Sequence, residues 1–80
     1  STPIEDIKHA LEIDELPDEE NYETLAGFMM YRLRKIPRPA DSVEYLGFKF
    51  EVVDVDHFKI DQLLVTRLSA KTELPPFIEQ

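Results

Sequence analysis

Apolar residues recur every three to four positions near the N-terminus and every second position beyond the middle of the chain. Ile4, Ile7 and Leu11 fall at helical spacing, the pattern of a helix that buries one face. Thr2-Pro3-Ile4-Glu5 ahead of them combines three start signals. Thr2 offers a capping hydroxyl, Pro3 suits the first helical position, and Glu5 completes a T-x-x-E capping box. Pro17 closes this segment, and Leu16 before it is biased toward an extended backbone. The acidic stretch from Asp18 to Asn21 reads as a linker, with Asn21 as a candidate cap for the next element.

A second helix is predicted from Tyr22 or Glu23 to Lys35. Leu25, Ala26, Phe28, Met29, Met30, Tyr31 and Leu33 leave it apolar on nearly every side, as expected of a buried central helix. Gly27 within it costs about 1 kcal/mol relative to alanine, so its presence implies close approach by a strand or helix. Met29 and Met30 suit irregular packing and read as core, not as a metal or cofactor box. Pro37 and Pro39 end the helix.

From Ser42 the period is two. Val43 and Tyr45 alternate with Glu44, Leu46-Gly47 makes a tight turn, and Phe48, Phe50 and Val52 alternate with Lys49 and Glu51. Val53 and Val55 take the opposite parity, which requires either a strand buried on both faces or a bulge. Asp54 to Phe58 is expected to turn the chain into a third strand, Lys59 to Leu68, whose mixed parity leaves its register open. The expected core is Leu25, Met29, Leu33, Phe48, Phe50 and Val52, with Ile7 and Leu11 beside them. The predicted fold class is α+β: two N-terminal helices packed on a small antiparallel β-meander of about three strands. Residues 1–69 form the domain, and residues 70–80, with Pro75-Pro76, form an extended or disordered tail.

Eighty residues make one domain. With no cysteine, neither a disulfide framework nor a thiolate zinc site reinforces it. No apolar run approaches the ~18 residues of a spanning helix and no signal-peptide pattern opens the chain, so the reading is a soluble module excised from something larger. Its charge is lopsided. Residues 1–23 carry nine acids against Lys8 alone, the whole net charge of −8, while residues 24–80 balance to zero. Nucleic acid is therefore not an expected partner, because phosphate binding needs a basic face. Arg32, Arg34, Lys35 and Arg38 make one basic cluster, read as the solvated last turn of the second helix complementing its dipole.

Catalytic constellations are almost absent. Gly27 and Gly47 are the only glycines, too few for a phosphate-cradling loop or a dinucleotide fingerprint. Ser42 and Thr24 have no base placed near them by sequence. No catalytic residue is predicted and the chain reads as no enzyme. The weak candidates for a metal are Asp54, Asp56 and His57, two carboxylates and an imidazole around one turn, where oxygen ligands suit magnesium or calcium. Asp and His are also ordinary turn residues, and the prevailing reading is no metal site. Asp14, Glu15, Asp18, Glu19 and Glu20 read as solvated charge, and His9, off the apolar stripe, as exposed.

Five motifs in a fixed order carry a family likeness: Glu20 to Gly27, Ile36-Pro37, Asp41 to Tyr45, Gly47 to Phe50, and Val53 to Asp56 followed by Ile60. Together they resemble the CorC/HlyC transporter-associated domain, a C-terminal module of hemolysin-like and magnesium/cobalt-efflux-type membrane proteins, over about Ile4 to Val65. The resemblance implies a non-catalytic regulatory or interaction domain of an ion transporter, on the cytoplasmic face of the membrane, with no cofactor. Its implied partners are the other domains of the parent protein, a CBS pair and a transmembrane domain, with a homo-oligomer also open to it. In the family a short strand precedes the first helix, so that strand is expected to be missing here or to lie outside this chain. The family fold also resembles half of a flavin-binding domain, by analogy alone. The alternative reading is a small-ligand sensor for a divalent cation or an adenine/flavin nucleotide.

Overall fold

Two pairs of left-handed residues fold the second half of the chain back on itself. Leu46 and Gly47, with φ of 50° and 80°, join strand β1 (Ser42–Tyr45) to β2 (Phe48–Asp56), and His57 and Phe58, with φ of 51° and 66°, join β2 to β3 (Lys59–Arg67). Consecutive positive φ values match the twist of two-residue hairpins. In this computed structural model, which describes residues 1–68 and the strand Phe77–Glu79, helix α1 spans Ile4–Leu11, a 3₁₀ turn spans Glu19–Asn21 and helix α2 spans Leu25–Leu33. The predicted α+β arrangement of two helices on an antiparallel meander is present.

Phe77–Glu79 forms a fourth strand, β4, so the sheet order is β1-β2-β3-β4, with Val65 opposite Phe77 and Leu63 opposite Glu79. Residues 69–76 and Gln80, which include the rest of the segment 70–80 read as an extended or disordered tail, lie outside the described residues.

The opposite parity of Val53 and Val55 comes from a bulge. Val52 pairs with Leu63 but Asp54 pairs with Gln62, so Val53 is the extra residue on β2; Val55 then pairs with Ile60, and the skipped Asp61 restores the register. This also accounts for the mixed parity of β3, where Leu63 and Val65 are buried while Ile60 and Leu64 are half-buried. The second turn is shorter than expected. Asp54, Val55 and Asp56 all pair with β3 as part of β2, and only His57 and Phe58 turn.

Both helix starts differ from the sequence reading. Pro3 and not Thr2 occupies the cap position of α1, and Pro3 offers no side-chain cap bond. The backbone explains it: Leu25 N–H donates to Thr2 C=O at 2.8 Å and Ile4 N–H to Glu23 C=O at 2.9 Å. This short bridge pulls Thr2 out of the helix and ties the first residues to the start of α2. There Thr24, not Asn21, is the cap, its hydroxyl accepting from Gly27 N–H at 3.0 Å. Asn21 lies in the 3₁₀ turn instead. A methyl group on Gly27 would sit 3.1 Å from Tyr22 Cβ and 3.3 Å from Thr24 Oγ1, so the close approach that needs glycine comes from the helix's own entry segment, not from another element.

Helix α2 is also less central than its composition implies. Leu25, Phe28 and Met29 face the core, Leu33 is only half-buried, and Met30 is 41% exposed. It ends at Leu33 because Arg34 turns left-handed, with φ of 52°. The core joins Leu25, Phe28 and Met29 to Phe48, Phe50, Val52, Leu63 and Val65 on one sheet face, with Ile4, Ile7, Leu11, Leu16 and Tyr22 alongside. Phe28 meets Phe50 edge-on at 5.2 Å, and Tyr22 meets Phe28 at 5.4 Å. Phe50 is fully buried. Phe50→Ala is expected to lower the unfolding free energy by about 3–5 kcal/mol, a large part of the stability of so small a domain. Denaturant titration measures this; a midpoint close to the parent's would contradict the central place given to Phe50.

Candidate interaction surface

The sequence candidates for a metal do not converge. Asp54 is exposed and its Oδ1 accepts from the next backbone N–H, Val55, at 3.0 Å. Asp56 lies 2.8 Å from His57 Nδ1, and their side chains are 71% and 91% exposed. Among the described residues no three or more His, Cys, Asp or Glu side chains are grouped closely enough to hold a metal ion. His9, Ser42 and Asn21 are exposed, and Thr24 is engaged in capping.

The acidic first quarter is held down by a small polar clasp. Lys8 Nζ lies 2.7 Å from Glu19 Oε1 and 3.0 Å from Glu5 Oε2, while the other oxygen of Glu19 accepts from Leu16 N–H at 2.7 Å. Glu19 holds the Lys8 ammonium charged, above its ordinary range, with Glu5 helping. In return Lys8, then the Leu16 N–H, holds the Glu19 carboxyl below the usual range. The Tyr22 hydroxyl donates to Pro17 C=O, and the Tyr31 hydroxyl donates to Asp18 at 3.2 Å. The loop from Glu12 to Asp18 is thereby laid against α1 and the β1–β2 turn. A shallow depression there is lined by Glu12, Asp14, Glu15, Leu46 and Arg67 among others. The Arg67 guanidinium stacks over Phe48 at 4.8 Å, and its buried Nε has no hydrogen-bond partner.

The opposite end of the sheet has a different character. Ile36, Pro37, Val55 and Phe58 form the mainly apolar floor of a hollow, and Lys35 and Arg38 edge it. Phe58 is 72% exposed and Ile36 61%, an apolar pair that a soluble surface gains nothing from presenting. Asp41 builds the loop behind it: its carboxylate accepts from Arg38 N–H at 2.9 Å and from Lys35 Nζ at 3.1 Å, and these two, the backbone first, hold it below the usual carboxylate range. Ala40 N–H and Val52 C=O then join the loop to β2 at 2.8 Å. The basic residues are thus not one helical turn. Lys35 and Arg38 lie beyond α2, while Arg34 stacks over Tyr31 at 5.1 Å. Sequence reading missed this surface, although one signal was available: Phe58 sits in a turn position that ordinarily takes Gly, Asn or Asp.

Tyr22 yields a pH prediction. Burial first, then the carboxylates of Glu19 and Asp18, pushes its hydroxyl up to about 12, against about 10 in an unfolded chain. The fold favours the neutral phenol, so this contribution is complete below pH ~10 and is lost as pH rises from there toward 12. Its size is on the order of 2 kcal/mol once solvent screening is allowed for. Stability measured across that window is expected to fall in the parent and to fall less steeply in Tyr22→Phe; identical slopes would contradict the burial argument.

Known proteins share this fold. The family model described as Transporter associated domain, CorC_HlyC, matches residues 1–69. The chain is 60% identical over 74 residues to the polyamine export protein of Salmonella typhimurium, and 59% identical over 76 residues to that of Escherichia coli K12. These alignments cover 92% and 94% of this chain but 17% of each relative, so the chain spans about a sixth of their length. Among solved structures, a CorC_HlyC domain from Haemophilus ducreyi is 54% identical with a TM-score of 0.77, covering 84% of this chain and 80% of that one. The CorC_HlyC domain of a Xylella fastidiosa hemolysin, solved in complex with Mg++ and Mn++, is 35% identical with a TM-score of 0.74, covering 86% and 81%. Motif order, fold and family match agree: the chain belongs to the CorC/HlyC family of transporter-associated domains.

Proposed function

We propose that this chain is a non-catalytic interaction domain that regulates a larger membrane export protein from the cytoplasmic face. The observation that carries this reading is the apolar hollow in which exposed Ile36 and Phe58 flank buried Pro37 and half-buried Val55, with its Lys35 and Arg38 edge. It is a feature suited to docking protein, whereas no described cluster of side chains is arranged for bond-breaking chemistry. The relatives' description as polyamine export proteins supports a polycationic cargo for the parent, and ion transport is the broader class. Among the described residues no helix is long and apolar enough to cross a membrane, so any spanning helices would belong to other parts of the parent, as would the CBS pair.

The test uses the parent protein carrying this domain. Ile36→Asp with Phe58→Asp is expected to change the rate of polyamine export by about tenfold, the loss of ~1.4 kcal/mol of coupling, while the protein accumulates normally in the membrane. Export unchanged both by that double variant and by deletion of the whole domain would overturn the reading.

The divalent-cation sensor is the second reading, because the Xylella domain was solved with Mg++ and Mn++. Carboxylates that do not converge bind such ions weakly, since the ion sheds water for few ligands. Titration with magnesium or manganese is expected to give only salt-sensitive effects in roughly the millimolar range. A saturable one-to-one isotherm in the micromolar range, abolished by Asp54→Asn or Asp56→Asn, would favour the sensor instead.

A further inference from the structure

We propose that the depression between the Glu12–Asp18 loop and the β1–β2 turn is a binding site for a small zwitterion of net positive charge, an α-amino acid with a cationic side chain. It lies at the other end of the sheet from the apolar hollow and is independent of the docking role given to that surface.

Arg67 is a residue that the fold alone does not explain. It continues the alternation of Leu63 and Val65 on the core face of β3 and stands opposite Phe48. An apolar side chain would complete that row. The Arg67 side chain is instead half-buried, its guanidinium lies over the Phe48 ring at 4.8 Å, and its Nε is buried without a hydrogen-bond partner. An arginine that merely covers a ring carries its charged head into water, where each N–H is solvated. A buried N–H left unbonded costs free energy, and more on a charged group. The fold nonetheless holds this one in place, since Leu68 N–H donates to Gly47 C=O at 2.7 Å and ties the end of β3 to the β1–β2 turn. The result is a guanidinium fixed against an aromatic face and presented to the depression, the arrangement that grips a carboxylate in bidentate fashion.

Three carboxylates share the depression with Arg67, yet none reaches it. Glu12, Asp14 and Glu15 are exposed and line the same surface, and none of them forms an ion pair with Arg67 or another cation among the described residues. The loop that carries them is itself fixed: Leu16 is buried with its N–H bonded to Glu19, and Ile13 N–H donates to Lys8 C=O at 2.9 Å. Opposite charges are therefore held apart and not cancelled, and that selects among ligands. A simple anion would meet three acids on a chain of net charge −8. A diamine would suit the acids but would oppose the Arg67 charge and leave its N–H groups unsatisfied. A molecule with one carboxylate and two ammonium groups meets both sides, the carboxylate on Arg67 and the ammonium groups on the acids. Its methylene chain would lie along Ile13, Tyr45 and Leu46, which also line the depression. The depression is shallow, so affinity is on the order of millimolar.

Titration of the 80-residue chain with L-lysine at neutral pH and constant ionic strength, followed by amide chemical shifts, tests this. Saturable shifts are expected at Glu12 to Glu15, at the Leu46-Gly47 turn and at Arg67, with a Kd on the order of 1 mM. Cadaverine is lysine without its carboxylate, and norleucine is lysine without its side-chain ammonium. Each is expected to bind about tenfold more weakly than lysine. Arg67→Gln is expected to erase the advantage of lysine over cadaverine without weakening cadaverine itself, which a mere loss of shape would not do. Asp14→Asn with Glu15→Gln, both at exposed positions, is expected to erase the advantage of lysine over norleucine. Should Arg67→Gln fail to fold by circular dichroism, the ranking of the three ligands on the parent and on the exposed double variant decides. Equal binding of lysine and cadaverine would mean that the acids alone attract cations, and equal binding of lysine and norleucine that only the carboxylate is read; either overturns the proposal. So do shifts spread over all the acids of residues 1–23 without saturation up to about 50 mM, far above a millimolar Kd.

Discussion

The edge-on contact between Phe28 of α2 and Phe50 of β2 is the joint on which the rest of the molecule depends. Both rings are fully buried, and each sits mid-element, so their contact sets helix against sheet across the one apolar face of the meander. Tyr22 and Phe48 extend the same aromatic row on either side. Aromatic pairs in this geometry add about 0.5–1.5 kcal/mol beyond their area. In a domain of this size that increment matters, because the net stability of a small domain is only a few kcal/mol.

The acidic first quarter needs a different kind of restraint. Its acids repel, so the apolar contact of Ile4, Ile7, Leu11 and Leu16 with the core is supplemented by polar ties. The N-terminal bridge of Thr2 to Leu25 and Ile4 to Glu23 fixes one end of α1 to the start of α2. Lys8 gathers Glu5 and Glu19 at the other end, and Glu19 in turn fixes Leu16. Most of the remaining acids are left in water, where charge is readily solvated, and that leaves the acidic fringe beside Leu46.

Backbone conformations that side chains dislike are concentrated at the ends of elements. Glu12, Arg34, Leu46, His57 and Phe58 all have positive φ, at about 1–2 kcal/mol for each non-glycine residue in an extended left-handed run and somewhat less singly. At Glu12 and Arg34 the strain closes a helix end. Ile13 N–H reaches back to Lys8 C=O at 2.9 Å and Arg34 N–H to Met30 C=O at 3.0 Å. At Phe58 the fold itself offers less compensation, since the ring stays in solvent at the mouth of the hollow. A docking role would account for an aromatic residue kept there.

Local pattern carried much of the architecture. The Ile4–Ile7–Leu11 stripe, the prolines after α2, the alternation from Val43 to Val52 and the Leu46-Gly47 turn were legible because helix and strand periods are properties of neighbours in sequence. The parity break at Val53 was legible as a choice between double burial and a bulge, but not as the answer, because a bulge is defined by the partner strand. Thr24 over Asn21 as the cap, Pro3 over Thr2, and the half-exposure of Met30 and Leu33 depended on which segments pack together. The motif order from Glu20 to Ile60 was enough to point to the family. The hollow at Ile36 and Phe58 was not legible as a surface, because those residues are far apart in the chain and the one local signal, an aromatic Phe58 at a turn position, does not say what it meets. Sequence by itself determined the elements, the charge imbalance and the family likeness, since these rest on local spacing and order; tertiary structure alone decided the caps, the bulge and the two unlike ends, since each depends on residues that only folding brings into contact.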